Sequence, residues 1–229
     1  SLTKESYYEG LTSYPAARCV RILNPLSADL NVMRQTLLFN TMEAVQLNAN
    51  RRNGNLRLYE FGNCYFYDEA ARDAEKPLSA YSEQYRLAIA VTGAAVPQSW
   101  NAKPQASSFF TLRAVAEKLL RRFGLDIYAL KCEPLQSDLF GDGISLSAGN
   151  GRELLQMGVV APRIRRAFDL KQEVYYLEMN FDALVKSTRK HRIAFEELSK
   201  FPEVKRDLAL LVDRQSRRPS GLRKTMTRP

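Results

Sequence analysis

The chain has 229 residues, 45% of them hydrophobic, which suits one large soluble domain or two small ones. No apolar run approaches the ~18 residues of a membrane span, and SLTKESYYEG lacks the basic-then-apolar pattern of a secretory signal. The net charge of +9 sits at one end: the sixteen residues from Arg214 hold six Lys/Arg and no acid, leaving 28 basic against 25 acidic residues elsewhere, so charge makes no case for nucleic-acid binding by the folded body.

In chain order, Tyr7, Tyr8, Leu11 and Tyr14 before Pro15 read as extended, and Cys19-Val20-Arg21-Ile22-Leu23 as a short strand. It ends at Asn24-Pro25, because proline keeps the residue before it out of the helical region. A helix is predicted over about 36–52, where Leu37, Leu38, Met42, Val45 and Ala49 recur at three- and four-residue spacing. Thr36 can cap its first turn, and Asn53-Gly54 offers a left-handed stop. The aromatic-rich stretch Leu56 to Tyr67 predicts a long strand, bent or bulged at Gly62. Charged residues from Asp68 to Lys76 make a solvated loop ending at Pro77, and Tyr85 to Thr92 is a strand closed by Gly93.

A second helix is predicted from Ser107 to Phe123, with Phe109, Leu112, Val115, Ala116, Leu119 and Phe123 on one face and Gly124 ending it. Four strand-like runs follow, at Ile127–Cys132, Ile144–Ser147, Leu154–Val160 and Val174–Met179, punctuated by short helices at Pro162–Phe168 and Phe181–Lys186. Strands outnumber helices and many connections are short. The predicted class is α+β, a mostly antiparallel sheet flanked by helices carried on one side.

Few residues point to chemistry. Cys19, Cys64 and Cys132 lie far apart, with no CxxC pair and a single histidine, His191. That makes neither a zinc site nor a disulfide framework and suits a reducing cytoplasm. Asp142-Gly143 and Gly149-Asn150-Gly151 are glycine-rich, but strands follow both, whereas a phosphate-cradling loop leads into a helix; both read as turns. The likeness of Gly149-x-Gly151-Arg152-Glu153 to the tail of a synthetase nucleotide motif fails on the same ground. His191, between Lys190 and Arg192, reads as a solvated histidine. Asp138, Asp142 and Glu196-Glu197 read as exposed charges. Arg163, Arg165 and Arg166 read as a solvated helix face, with RNA contact as the functional alternative.

The stretch CVRILNPLSADLNVMRQTLLFNTMEAVQLNANRR, followed by LRLYEFGNCYF, resembles the β subunit of bacterial phenylalanine–tRNA ligase. The shared order is a strand, Asn24-Pro25-Leu26-Ser27, Met33-Arg34, an apolar helix ending in Asn-x-x-Arg, then Tyr59-Glu60-Phe61-Gly62. Gly158–Phe168 with Val174–Leu184 agrees with that family, and Phe201-Pro202-Glu203-Val204-Lys205-Arg206-Asp207-Leu208-Ala209 is similar to the entry of its ferredoxin-like anticodon-binding domain.

The resemblance implies a class II aminoacyl-tRNA synthetase-like core that has lost its chemistry, over residues 1–200. Residues 201–213 would open a truncated anticodon-binding domain, and 214–229 would be a disordered basic tail of cloning origin. It implies a cytoplasmic heterotetramer of two α and two β subunits that joins phenylalanine to tRNA with ATP and Mg²⁺, the α subunit holding the active site. This segment would scaffold α and help to position tRNA, with no catalytic, cofactor or metal residue of its own, since Arg57 and Arg72 alone make no triphosphate clamp. Asn24, Pro25, Ser27, Arg34, Glu60 and Gly62 would be structural or subunit-contact residues, and Arg163, Arg165 and Arg166 candidate RNA contacts. The rival readings are a stand-alone synthetase-like paralogue with its own ligand pocket and a nucleic-acid-binding module.

Overall fold

A computed structural model of the chain describes residues 1–189 apart from Leu26, Ala28 and Asn150. The expectations for His191, Glu196-Glu197, the 201–213 domain entry and the 214–229 tail lie outside the described residues.

The chain opens with β1 (Leu2–Thr3), 3-10 turns at Glu5–Tyr8 and Ala16–Arg18, β2 (Val20–Arg21) and β3 (Val32–Met33). These strands form a small antiparallel sheet in the order β1-β3-β2. The opening is thus wound rather than extended, and the expected five-residue strand shrinks to two. Winding lets Tyr7 and Tyr8 turn inward: Tyr8 is fully buried and its hydroxyl accepts from the Gln35 amide at 3.0 Å.

Helix α1 (Leu38–Asn50) buries Leu38, Phe39, Met42 and Val45, the predicted stripe. Its end corrects the expected stop at Gly54. The left-handed residue is Arg52, with φ 61°. The Asn53 amide donates to Asn48 O (3.0 Å) and the Arg52 amide to Ala49 O (2.9 Å), the paired bonds of a Schellman ending. An arginine here carries the steric cost that glycine avoids.

Next come β4 (Leu56–Tyr67), β5 (Tyr81–Thr92), β6 (Ala94–Val96), β7 (Gln105–Ala106) and α2 (Phe109–Arg122), then β8 (Lys131–Pro134), β9 (Phe140–Ser147), β10 (Glu153–Val160), α3 (Pro162–Ala167), β11 (Val174–Asn180) and α4 (Phe181–Thr188). The main sheet runs β4-β5-β11-β10-β9-β8, and each neighbouring pair is antiparallel. Strands β4 and β5 pair without interruption from Leu56↔Thr92 to Tyr67↔Tyr81, so the predicted bulge at Gly62 is absent from that pairing. Residues 127–129 wind into a 3-10 turn rather than strand, and Val115 is solvent-facing while Leu120 takes the buried place on α2.

Asp142-Gly143, expected as a turn, lies inside β9, with Gly143 opposite Gly158 and Asp142 opposite Val159. A Cβ on Gly158 would stand 2.2 Å from Asp142 O and 2.8 Å from Gly143 Cα, so the two strands approach where side chains are missing. The Gly149–Gly151 segment does lie in the hairpin between β9 and β10, closed by Ala148 N donating to Arg152 O at 2.8 Å.

Helices cover both faces of the sheet, which corrects the one-sided expectation. Alternation sends Leu56, Cys64, Phe66, Ala88, Ala90, Val174 and Tyr176 into one core with α1 and α3. Leu87, Val91, Leu155, Met157, Leu177 and Met179 enter a second core with Leu112, Ala116 and Leu120 of α2 and Leu184 of α4. Consecutive apolar residues in the central strands, such as Tyr176-Leu177, are the mark of a sheet buried on both sides. Relieving the left-handed strain at α1's end is the clearest single gain available: Arg52→Gly should stabilise the chain by about 0.5–1 kcal/mol in urea unfolding.

Candidate functional site

The strongest concentration of polar chemistry lies on the α1-covered face. Glu178 of β11 points into that core and is 8% exposed. Its carboxylate accepts from Arg86 Nη1 (2.6 Å), from the Tyr176 hydroxyl (2.6 Å) and from Thr36 Oγ1. Arg86, a diagonal neighbour on β5, also donates to the Tyr14 hydroxyl (2.8 Å) and to Gln84 Oε1 through Nε and Nη2 (3.2 and 2.8 Å). Its guanidinium lies over the Phe66 and Tyr14 rings, 5.3 and 5.8 Å from their centroids. Thr36 accepts in turn from the Leu38 amide (3.1 Å) at the start of α1.

Burial would lower the Arg86 pKa, but Tyr14 and Glu178 beside it hold the guanidinium above its ordinary range and charged. Burial first, then the Glu178 charge, pushes the Tyr176 phenol well above its usual value, and the same pair of causes raises Tyr14. The guanidinium is therefore held charged, and both phenols neutral, at neutral pH.

A second cluster brings together three residues of the sequence motif. Arg34 is buried, and its Nη1 donates to Glu60 Oε1 (2.5 Å) and its Nε to Asn63 O (3.1 Å). Its own carbonyl accepts from the Tyr65 amide (2.8 Å). A Cβ on Gly62 would stand 1.9 Å from Arg34 Nη2, so glycine is what admits the guanidinium against β4. Asn24, Pro25 and Ser27 lie apart, exposed in the β2–β3 loop with Leu23 (94% exposed) and Leu30. There the Ser27 hydroxyl accepts from the Asp29 amide (3.1 Å).

The arginines of α3 diverge. Arg163 Nη2 donates to Glu9 O (3.1 Å), Arg165 to Val160 O and Gln172 O (both 3.3 Å), and Arg166 Nε to Pro162 O (3.3 Å). Arg165 and Arg166 line a cleft of about 430 Å³ with Asp169 and Lys171. A larger one, about 520 Å³, lies where β5 and β11 meet the base of the β6–β7 hairpin, lined by Gly93, Ser107, Gln172, Glu173 and Tyr175. Neither overlies Arg86 and Glu178. Arg57 donates to Ala95 O (2.7 Å) and Arg72 pairs with Glu69 (3.3 Å), so the two do not converge. Among the described residues no group of three or more His, Cys, Asp or Glu is placed to hold a metal ion.

Sequence reading missed Tyr14, Thr36 as a Glu178 partner, Arg86 and Glu178 itself. The available signal was a lone acid inside the apolar run Val174–Met179, since an unpaired carboxylate is not tolerated there. It also took Asp138 for an exposed charge. Asp138 accepts from the Thr12 amide and hydroxyl (2.5 and 3.1 Å) and from the Ser13 amide (3.3 Å). Burial would raise its pKa, but the bonds from Ser13 and Thr12 outweigh that and hold it below its usual value.

Comparison with known proteins places this geometry. The family model described as "Phenylalanyl tRNA synthetase beta chain CLM domain" matches residues 1–181. Phenylalanine–tRNA ligase β subunits of Bacteroides thetaiotaomicron and Porphyromonas gingivalis are 46% and 40% identical over 214 residues, 93% of this chain and 26% of each relative. That of Chlorobaculum tepidum is 32% identical over 199 residues, 85% of this chain and 24% of the relative. The chain thus spans about a quarter of the length of the relatives it matches. Among solved structures, a pyrrolysyl tRNA synthetase of Desulfitobacterium hafniense superposes with a TM-score of 0.57 at 16% identity, covering 81% of this chain and 59% of that one; the likeness is one of fold.

Two outcomes follow from the buried groups. Arg86→Met leaves the Glu178 carboxylate without its cation and should cost about 3–5 kcal/mol in urea unfolding, and replacing both residues by apolar ones of similar volume should cost less than that. Burial first, then the Glu178 charge, pushes the Cys64 thiol from 9.0 up to about 12. The unfolded chain therefore loses this proton first as pH rises: the stabilisation is whole below pH 9 and is lost between 9 and about 12. Cys64→Ala should flatten part of that decline in melting temperature.

Proposed function

Because the chain belongs to the phenylalanyl-tRNA synthetase β-chain family, we propose that it is the non-catalytic, class II synthetase-like core of a phenylalanine–tRNA ligase β subunit. Its work is to scaffold the catalytic α subunit and help to position tRNA, in a cytoplasmic enzyme of two α and two β subunits that uses ATP and Mg²⁺. The fold likeness to a pyrrolysyl tRNA synthetase supports the class II reading. Among the described residues no helix is long and apolar enough to cross a membrane. In this reading residues 1–200 are the core, 201–213 begin an anticodon-binding domain, and 214–229 are a tail foreign to it.

The observation that carries the non-catalytic assignment is the Arg86–Glu178 centre. A triphosphate site needs preorganised positive donors facing an open cleft. Here the guanidinium on the covered face is held by Glu178, Tyr14 and Gln84, with Phe66 packed against it. The residues present do not fit a nucleotide, so no catalytic step is assigned to them. Arg34, Glu60 and Gly62 serve as a structural bolt along β4. The exposed β2–β3 loop, with Asn24, Pro25 and Ser27 between Leu23 and Leu30, is the surface offered to α. RNA contact by Arg163, Arg165 and Arg166 is the weaker reading, since each guanidinium already donates to a backbone carbonyl of its own fold.

Mixed with α at micromolar concentration, the chain should elute with it as one complex, and Leu23→Asp with Leu30→Asp should weaken that complex at least about tenfold. Alone it should catalyse no phenylalanine-dependent exchange of pyrophosphate into ATP. Exchange by the isolated chain would overturn the non-catalytic assignment.

A further inference from the structure

The opening segment reaches the Arg86–Glu178 centre through a short strap between fixed ends. On one side Leu11 is buried, its amide donates to Tyr8 O (3.2 Å), and Arg163 Nη2 holds Glu9 O (3.1 Å). On the other, Pro15 O accepts from Gln35 Nε2 (3.0 Å) and from the Arg18 amide (3.0 Å). Between them Thr12, Ser13 and Tyr14 belong to no helix or strand, and Thr12 and Ser13 are exposed.

One carboxylate holds the outside of the strap. Asp138, in the loop between β8 and β9, accepts from the Thr12 amide (2.5 Å), the Thr12 hydroxyl (3.1 Å) and the Ser13 amide (3.3 Å). Among the described residues nothing else accepts from those two amides. The post itself is firm: Leu139 is buried, its amide donates to Ser137 Oγ (3.2 Å), and its carbonyl accepts from the Ala161 amide (2.9 Å). Bonds to an ionised acceptor are stronger than neutral ones, so this one group supplies most of the outer hold. On the inside, the Tyr14 hydroxyl accepts from Arg86 Nη1 (2.8 Å), and the same nitrogen donates to Glu178 (2.6 Å).

We propose that residues 12–14 are a strap that opens as a unit while the sheet stays folded, with Asp138 as its latch and Tyr14 as the seal that keeps water from the Arg86–Glu178 pair. Segments held by solvent-exposed hydrogen bonds open at far lower free energy than core strands do. The bonds from Thr12 and Ser13 to Asp138 are exposed, whereas Glu178 stands on β11, which is paired on both sides, with β5 and β10. When Tyr14 leaves, Arg86 keeps Glu178 and water replaces the tyrosine hydroxyl, so opening leaves no buried charge unpaired. Asp138 is thus a positioning residue that acts on the buried pair through Tyr14. None of these contacts depends on the subunit reading above.

The test treats the full chain with tetranitromethane, which nitrates the phenolate, and reads each tyrosine by peptide mass spectrometry. Burial first, then the Glu178 charge, keeps the Tyr14 phenol protonated while the strap is closed, so its nitration reports opening. Asp138→Ala should raise the Tyr14 rate at least about tenfold and leave the buried Tyr8 and Tyr176 unchanged. Asp138→Asn, which keeps an acceptor oxygen, should return part of the protection. In the unaltered chain the Thr12 and Ser13 amides should exchange with deuterium at a rate that stays flat as urea rises below the unfolding transition, while β11 amides follow global unfolding. An unchanged Tyr14 rate in Asp138→Ala overturns the latch. A rise shared equally by Tyr8 and Tyr176, or exchange at Thr12 and Ser13 that tracks β11 in urea, overturns the strap as an independent unit.

Discussion

A carboxylate and a guanidinium facing each other in the middle of an apolar core constrain everything around them. Glu178 and Arg86 stand on adjacent strands under α1, and neither would be tolerated there alone. Each needs further partners, and these come from distant stretches of chain: Tyr14 from the opening segment, Thr36 from the entry to α1, Tyr176 from the same strand. Satisfying two buried charges thereby fixes where the first forty residues lie on the sheet. In the wound opening Tyr14 reaches Arg86, while Tyr8 accepts from the Gln35 amide and Tyr7 donates to Glu43.

The same closure leaves, among the described residues, no open polar cleft over Arg86 and Glu178. Here the sheet face is filled by aromatic side chains, and its cations are paired within the chain. Arg34 repeats the pattern beside β4, lodged in the space that Gly62 leaves and bonded to Glu60 and Asn63. The inward-facing polar groups at these two places are bonded to one another. On the outside the chain displays Leu23 and Leu30 on one loop and Trp100 on the β6–β7 hairpin.

Much of this was legible one residue at a time. Helix α1 was visible because its apolar residues recur every three or four positions, and β4 and β5 because β-favouring residues run between clear breakers. The expected strand-rich α+β class agrees with the antiparallel sheet observed, and the order Met33-Arg34 to Tyr59-Glu60-Phe61-Gly62 identified the family that the comparisons support. Two of the errors at glycine share one cause. Gly62, Asp142-Gly143 and Gly54 were given the local meanings of glycine, bend, turn and left-handed stop, when two of the three are set by non-local neighbours. Gly62 makes room for a guanidinium, Gly143 lies against Gly158, and at Gly54 an arginine two residues earlier had already taken the left-handed place.

The amino-acid order by itself determined the elements, the class and the family, because periodicity, propensity and motif spacing are properties of neighbours along the chain. Only the tertiary structure decided that helices cover both faces, that Arg86 meets Glu178, and that Arg34 fills the space beside Gly62. Those facts depend on side chains separated by 26 to 92 residues, and a buried charge chooses its partner by distance and solvation in space, neither of which is written in local sequence.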